Sequence, residues 1–221
     1  MRKKGLIISF EGIDGCGKTT QARLFCRHLR EKGVNAVLLN EPGGTYTGDK
    51  IRNILLDKEN SICPLSELLL YLASRMQLVE EVIKPAVEEG KTVVLDRYVD
   101  STTAYQGYGR GLSEKLIRYL HRISIGTLMP DLTFVIDAPA EELLDVLDRK
   151  DRDRMEIESI EFQKRVRKGY LAIAARQPSR VKVVRRKALQ MTHADVVKKW
   201  ESFLNGRKNN RKVSHKNQRE K

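Results

Sequence analysis

The sequence predicts an α/β domain in three layers, a parallel sheet with helices packed on both faces. Five short apolar runs are spread along the chain, and longer stretches with helical spacing lie between them. A glycine-rich turn joins the first run to the first helical stretch. Strands that alternate with helices pair in parallel, because each crossover lays a helix against the sheet and covers it.

Taken in order, "LIISFE" (6–11) reads as the first buried strand. The basic residues before it resemble a leader, but the run enters the glycine turn with no small-residue cleavage site, so a strand is expected. Apolar residues then recur with helical period over 18–31, and "VNAVLLN" (34–40) is the second strand. Helical spacing returns over 47–56 and 64–89, followed by the strand "TVVLDRY" (92–98). A helix over 113–127 leads to "LTFVIDA" (132–138), helices over 140–149 and 156–176 lead to "VKVV" (181–184), and a helix over 193–204 closes the fold. With no internal repeat and no Pro/Gly linker, residues 1–204 read as one domain.

Composition narrows the class. The 221 residues are 40% hydrophobic, enough to bury a core unaided, and no apolar run approaches the ~20 residues that span a bilayer. Cys16, Cys26 and Cys63 form neither an even set nor a metal-ligand spacing, and the four histidines are scattered, so a reducing, cytoplasmic setting is expected. Residues 205–221 carry seven Lys/Arg against one Glu and read as a disordered basic tail, which leaves +7 of the +13 net charge on the body. That surplus calls for anionic partners.

The turn "GIDGCGKTT" supplies one. Gly12, Gly17, Lys18 and Thr19 satisfy the phosphate-loop spacing between a predicted strand and a predicted helix. Backbone N–H groups of Gly12, Ile13, Asp14, Gly15, Cys16 and Gly17 would cradle phosphates at the helix start, with Thr20 beside them. Lys18 would reach the β- and γ-phosphates, and Thr19 would ligate Mg²⁺. Cys16 reads either as a small filler or as a thiol activated by the helix dipole.

Other stretches bear on the same chemistry. Asp96 and Arg97 follow the third strand, where an open α/β sheet binds its ligands; they suit magnesium and phosphate respectively, or a structural pair. Ser101, Tyr105 and Gln106 follow on a helix start. Tyr71 and Arg75 share a helix face, as a surface cation–π pair or as a ring and an edge donor for a planar base. Glu41, Pro42, Gly43 and Gly44 form a tight turn. Arg149, Arg152 and Arg154 alternate with aspartates and read as a solvated face or as a mobile cover (148–156) that lays arginines over transferring phosphate.

Together these blocks resemble thymidylate kinases: "FEGIDGCGKTTQ", "EPGGT", "LLLYLASRMQ", "DRYVDSTTAYQG", "PDLTFVIDAPAEELL" and "DRMEIESIEFQKRVRKGY", in order over most of residues 6–175. The resemblance implies a phosphate-loop NTPase fold with a parallel five-stranded sheet, a homodimer, and Mg²⁺-dependent transfer of the ATP γ-phosphoryl group to dTMP. It also implies that Asp14 faces the acceptor sugar, that Arg97 contacts phosphate between donor and acceptor, and that Arg52 and Arg75 hold the acceptor. Tyr105 would crowd the sugar 2′ position, and Thr102 would stand where some members read the base. Gly15 occupies the loop position where some members place an arginine, so Arg149, Arg152 or Arg154 would complete the site. Asn40 stands where many members carry an arginine, and Arg185, Arg186 and Lys187 depart from the family's adenine-side pattern. Competing readings are another nucleoside-monophosphate kinase and a basic NTP-dependent nucleic-acid-binding protein; the body shows no aromatic-interleaved basic stripe to support the latter.

Overall fold

The structure is a computed structural model that describes residues 4–143 and 153–219, with side chains up to Arg207. The five apolar runs form strands β1 (Ile7–Glu11), β2 (Ala36–Asn40), β3 (Thr92–Asp96), β4 (Leu132–Asp137) and β5 (Val181–Arg185). All pair in parallel, in the order β2-β3-β1-β4-β5. The helices are α1 (Lys18–Glu31), α2 (Tyr46–Leu56), α3 (Pro64–Leu78), α4 (Lys84–Glu88), α5 (Val99–Thr102), α6 (Glu114–Ile125), α7 (Ile160–Arg176) and α8 (Leu189–Arg219).

Every residue of β1 is buried, so its side chains alternate between two cores. Ile8 and Phe10 face one core, where Phe10, Phe25 and Phe134 meet at centroid distances of 5.1–5.6 Å. Trp200 on α8 closes this cluster edge-on to Phe25. Ile7 faces the other core with Leu78, Ile83, Val93 and Leu95. Ser9 also points there but meets Thr133 at 2.7 Å, and Thr133 donates to Asp100, which is paired bidentately with Arg180. A buried polar seam thus reaches the carboxyl end of β1, where its members satisfy one another.

Three elements differ from the sequence pattern. The predicted helix 64–89 is divided by a π-helical turn at Val79–Ile83, just before Pro85, which has no N–H to continue the α-helical ladder. The predicted helix 140–149 begins as a 3₁₀ turn at Ala140–Leu143, and its remainder lies outside the described residues. The backbone of α8 continues to Arg219 through the segment expected to be disordered. Lys, Arg and Gln propagate an existing helix well even where no core faces them.

Candidate active site

β1 and β3 are neighbours whose crossovers run in opposite directions, to β2 and to β4, so a crevice opens beyond the carboxyl ends of the strands. The glycine turn fills this point. Gly12 has φ +143°, and a Cβ there would stand 2.6 Å from the Ile136 carbonyl oxygen and 2.7 Å from the Cys16 Sγ. Only glycine fits. Gly17 caps α1 without a side-chain acceptor, so the first N–H groups of α1 remain available to an anion.

A cavity of about 420 Å³ opens against this loop. It is lined by Asp14, Lys18, Thr19, Glu41, Pro42, Arg52, Tyr71, Arg75, Asp96, Arg97, Ser101, Thr102, Tyr105 and Gln106. Each of these was expected from sequence, and the fold brings them together from six separate stretches. Thr20 is exposed on α1 outside the lining. Arg149 and Arg152 lie outside the described residues.

Asp14 and Arg97 form the centre. The Arg97 guanidinium pairs with the Asp14 carboxylate and also donates to the Gly12 carbonyl at 3.2 Å, to Ser101 Oγ at 3.2 Å and to Tyr105 at 3.0 Å. Tyr105 and Gln163 donate to Asp14 Oδ2 at 2.8 and 3.3 Å. Burial alone would push the Asp14 carboxyl up, but Arg97, Lys18 and these donors hold it below its usual value. Lys18 is held loosely, with Nζ 3.5 Å from both the Ile13 carbonyl and Asp14 Oδ1. Beneath Arg97, Glu11 accepts from Tyr98 N at 2.8 Å and from Ser101 Oγ at 2.6 Å, and burial beside Asp100 pushes its carboxyl up to about 7.

Arg75 is not the surface partner of Tyr71. It is 1% exposed, paired with Glu41 at 2.6 Å, donating to Thr102 Oγ1 at 2.8 Å and to the Tyr98 carbonyl at 3.1 Å, and it lies over the Tyr98 ring. A guanidinium has five N–H donors, and these contacts leave one on Nη1 free. The Glu41–Gly44 turn is fastened by Gly43 N to Ser74 Oγ (3.0 Å), Gly44 N to Asp49 Oδ1 (2.9 Å) and Arg52 Nη1 to the Pro42 carbonyl (2.8 Å).

Arg154, expected over the phosphates, turns inward instead. It donates to Glu67 Oε2 at 2.7 Å and to the Leu55 carbonyl at 2.7 Å. Asp153, Met155 and Glu156 on either side of it face the cavity. Glu67, Gln163 and Tyr170 are functional supports that the sequence reading missed. Gln163, Val166 and Tyr170 recur at helical spacing on the buried face of α7, and two polar groups on such a face were the available signal.

Cys16 is 1% exposed, and burial pushes its thiol up despite Lys18 nearby, so it packs as a small filler. Cys63 is exposed, and a hydrogen bond with Ser66 lowers its thiol. Limited iodoacetamide is therefore expected to label Cys63 alone, with no loss of turnover, and Cys63→Ser should abolish the fast phase. Rapid ATP-protected labelling of Cys16 would contradict this burial.

The donor set at the strand ends fits magnesium. Asp96 Oδ1 is buried with no hydrogen-bond partner, Thr19 lines the same cavity, and the described residues contain no cluster of three His, Cys, Asp or Glu. Mg²⁺ takes one or two protein oxygens and completes its shell with phosphates and water.

The thymidylate kinase family profile matches residues 10–196. The chain is 46% identical over 202 residues to the thymidylate kinase of Thermoanaerobacter sp. (strain X514), covering 91% of this chain and 100% of that one. It is 47% identical over 204 residues to that of Chlorobium luteolum, covering 87% and 95%. Its fold superposes on the crystal structure of thymidylate kinase from Ehrlichia chaffeensis with a TM-score of 0.75 at 38% identity, covering 90% and 99% of the two chains. By the match over its body and by these relatives, the chain belongs to the thymidylate kinase family.

Proposed function

We propose that the chain transfers the γ-phosphoryl group of ATP to dTMP, giving dTDP and ADP. An oxygen of the acceptor phosphate attacks the γ-phosphorus, and the bond to the β,γ-bridging oxygen breaks. The acceptor phosphate has a second pKa of about 6, so it is a dianion at neutral pH and needs no general base. The obstacle is repulsion between two anions, which calls for fixed cations and alignment. The observation that carries the reading is the convergence of Lys18, Arg52, Arg75 and Arg97 on one cavity beside the phosphate loop.

Each residue then has a task. The loop N–H groups and Lys18 hold the donor phosphates, while Arg97, steered by Asp14 and Tyr105, bridges toward the acceptor. Thr19 and Asp96 would hold Mg²⁺, which when bound neutralises phosphate charge. The remaining Nη1 donor of Arg75 suits the thymine O4 acceptor, where cytosine would present a donor. The Thr102 hydroxyl, accepting from Arg75, keeps its own proton to donate. Arg149 and Arg152, which lie outside the described residues, would complete the donor site. The test is ATP consumption with and without saturating dTMP in Mg²⁺. Turnover that dTMP fails to raise above background would overturn the reading.

Asp14→Ala is expected to lower kcat/KM for dTMP by about 100-fold, because it releases the guanidinium that aligns the two phosphates. ATP affinity, measured by calorimetry, should change by less than about threefold, since the loop N–H groups do not depend on this carboxylate. Equal losses in both would sink the assignment.

The working form is a homodimer in the cytoplasm. Leu65 and Leu69 on α3 and Tyr119 and Ile123 on α6 are 47–56% exposed on two helices that pack together through Leu68, Leu72 and Ile117. Exposed apolar side chains on two helices packed together suit a second copy. Among the described residues no helix is long and apolar enough to cross a membrane, and the three cysteines are free.

A further inference from the structure

Five cations line the cavity, and four of them are held by protein oxygens. Lys18 lies near the Ile13 carbonyl and Asp14, Arg52 donates to the Pro42 carbonyl, Arg75 is paired with Glu41, and Arg97 is paired with Asp14. The fifth is Arg23, which is exposed and has no hydrogen bond or ion pair among the described residues. A charged side chain on the rim of an anion site, free of any internal partner, keeps all its donors for the ligand.

Its place in the fold gives the ligand end. Thr19 and Arg23 are four residues apart on α1 and share a face. That face lies over the carboxyl end of β2, because Leu38, Leu39 and Asn40 line the same cavity. Asn40 is in register with Asp96 on the neighbouring strand and leads directly into the turn that Arg52 fastens. Its amide stands 3.8 Å from where a Cβ on Gly43 would sit. The last residue of β2 is therefore neutral, while an unpaired guanidinium on α1 lines the same cavity.

We infer that Arg23 binds the phosphate of the acceptor monophosphate, supplying the positive charge that Asn40 does not. The inference rests on the kinase reading above and extends it to a residue that neither the phosphate-loop spacing nor the turn motif includes. Arg23 contributes to acceptor affinity more than to donor affinity, because the donor phosphates already have the loop N–H groups and Lys18.

Steady-state kinetics with dTMP varied at saturating ATP, and the reverse, tests this. Arg23→Ala is expected to raise KM for dTMP about tenfold, the scale of one charge-assisted contact at a partly exposed site. KM for ATP should stay within about twofold. Arg23→Gln keeps part of the stem and some hydrogen-bonding capacity but no charge, and should behave like the alanine variant. Adding Asn40→Arg to Arg23→Ala should recover most of the loss. An unchanged KM for dTMP, an equal rise for ATP, a wild-type-like Arg23→Gln, or no recovery from Asn40→Arg overturns the inference. Wild-type enzyme in the same assay keeps the two claims apart. If it shows no dTMP-dependent turnover, the kinase reading fails; if it turns over and Arg23→Ala matches it, only this inference does.

Discussion

Replacing Arg97 by alanine is expected to lower kcat with dTMP by about 10³-fold or more, the range measured for arginines that stabilise transferring phosphate. The guanidinium uses its donors on Gly12, Asp14, Ser101, Tyr105 and Tyr170, so its plane is fixed before any substrate arrives. Arg97→Lys should recover little, because an ammonium cannot reproduce that planar fork. The backbone offers an internal control. Arg97 has φ +71°, a conformation that costs a residue with a Cβ roughly 1 kcal/mol and costs glycine almost nothing. Arg97→Gly and Arg97→Ala should be equally inactive, yet the glycine variant should melt about 2–4 °C higher. Equal melting temperatures would show that the φ value stores no strain, and activity within tenfold of wild type would remove Arg97 from the chemistry.

Most of the fold was legible because strand and helix signals here are local. All five strands fall where short apolar runs predicted them, and α1 begins at the lysine of the phosphate motif. The exceptions are places where a local signal was overridden or shared. The π-helical turn at Val79–Ile83 keeps an apolar pattern, so only Pro85 hinted at the break. The long α8 carries no core signal beyond Phe203 and Leu204, and nothing in residue spacing distinguishes a solvated helix from coil.

The site was legible as a set of residues and much less as a set of pairs. The cavity lining follows from motifs that each mark a strand end or a helix start. The partners of those residues come from distant elements: Arg75 meets Glu41 across 34 residues, and Arg154 meets Glu67 across 87. No spacing rule encodes such contacts, so a dense Arg–Asp run gave no means of separating an arginine that faces solvent from one that turns into the core. Arg154 turns inward because a fully buried carboxylate awaits it, and that carboxylate sat unnoticed on the inner face of α3.

The second large effect belongs to that carboxylate. Glu67 is fully buried and accepts from Gln106 Nε2 at 2.9 Å, Arg110 Nε and Nη2 at 3.1 and 2.9 Å, and Arg154 Nη1 at 2.7 Å. It joins α3 to the turn that carries Tyr105 and Gln106 and to the segment that carries Asp153 and Glu156 over the cavity. Glu67→Ala would leave Arg154 with no carboxylate and Arg110 with Glu158 alone, and removing one partner of a buried ion pair costs about 3–5 kcal/mol. Solvent screening is small, since the arginine side chains are only 17% and 9% exposed. For a chain of this size, the melting temperature should fall by about 10 °C. KM for dTMP should rise as Gln106 loses its anchor, whereas KM for ATP should move little below the melting range. Burial would push the Glu67 carboxyl up, but its hydrogen bonds with Arg110, Gln106 and Arg154 hold it below the usual value. A depressed pKa stabilises the fold above the unfolded value of about 4.3, and that contribution is lost as pH falls through the folded value. The stability gap between wild type and Glu67→Ala should therefore be full at neutral pH and narrow in acid. A gap that is flat from pH 7 down to pH 3, or a melting temperature within 2 °C of wild type, would mean that the arginines find other partners and that Glu67 does not hold the segment 153–156 in place.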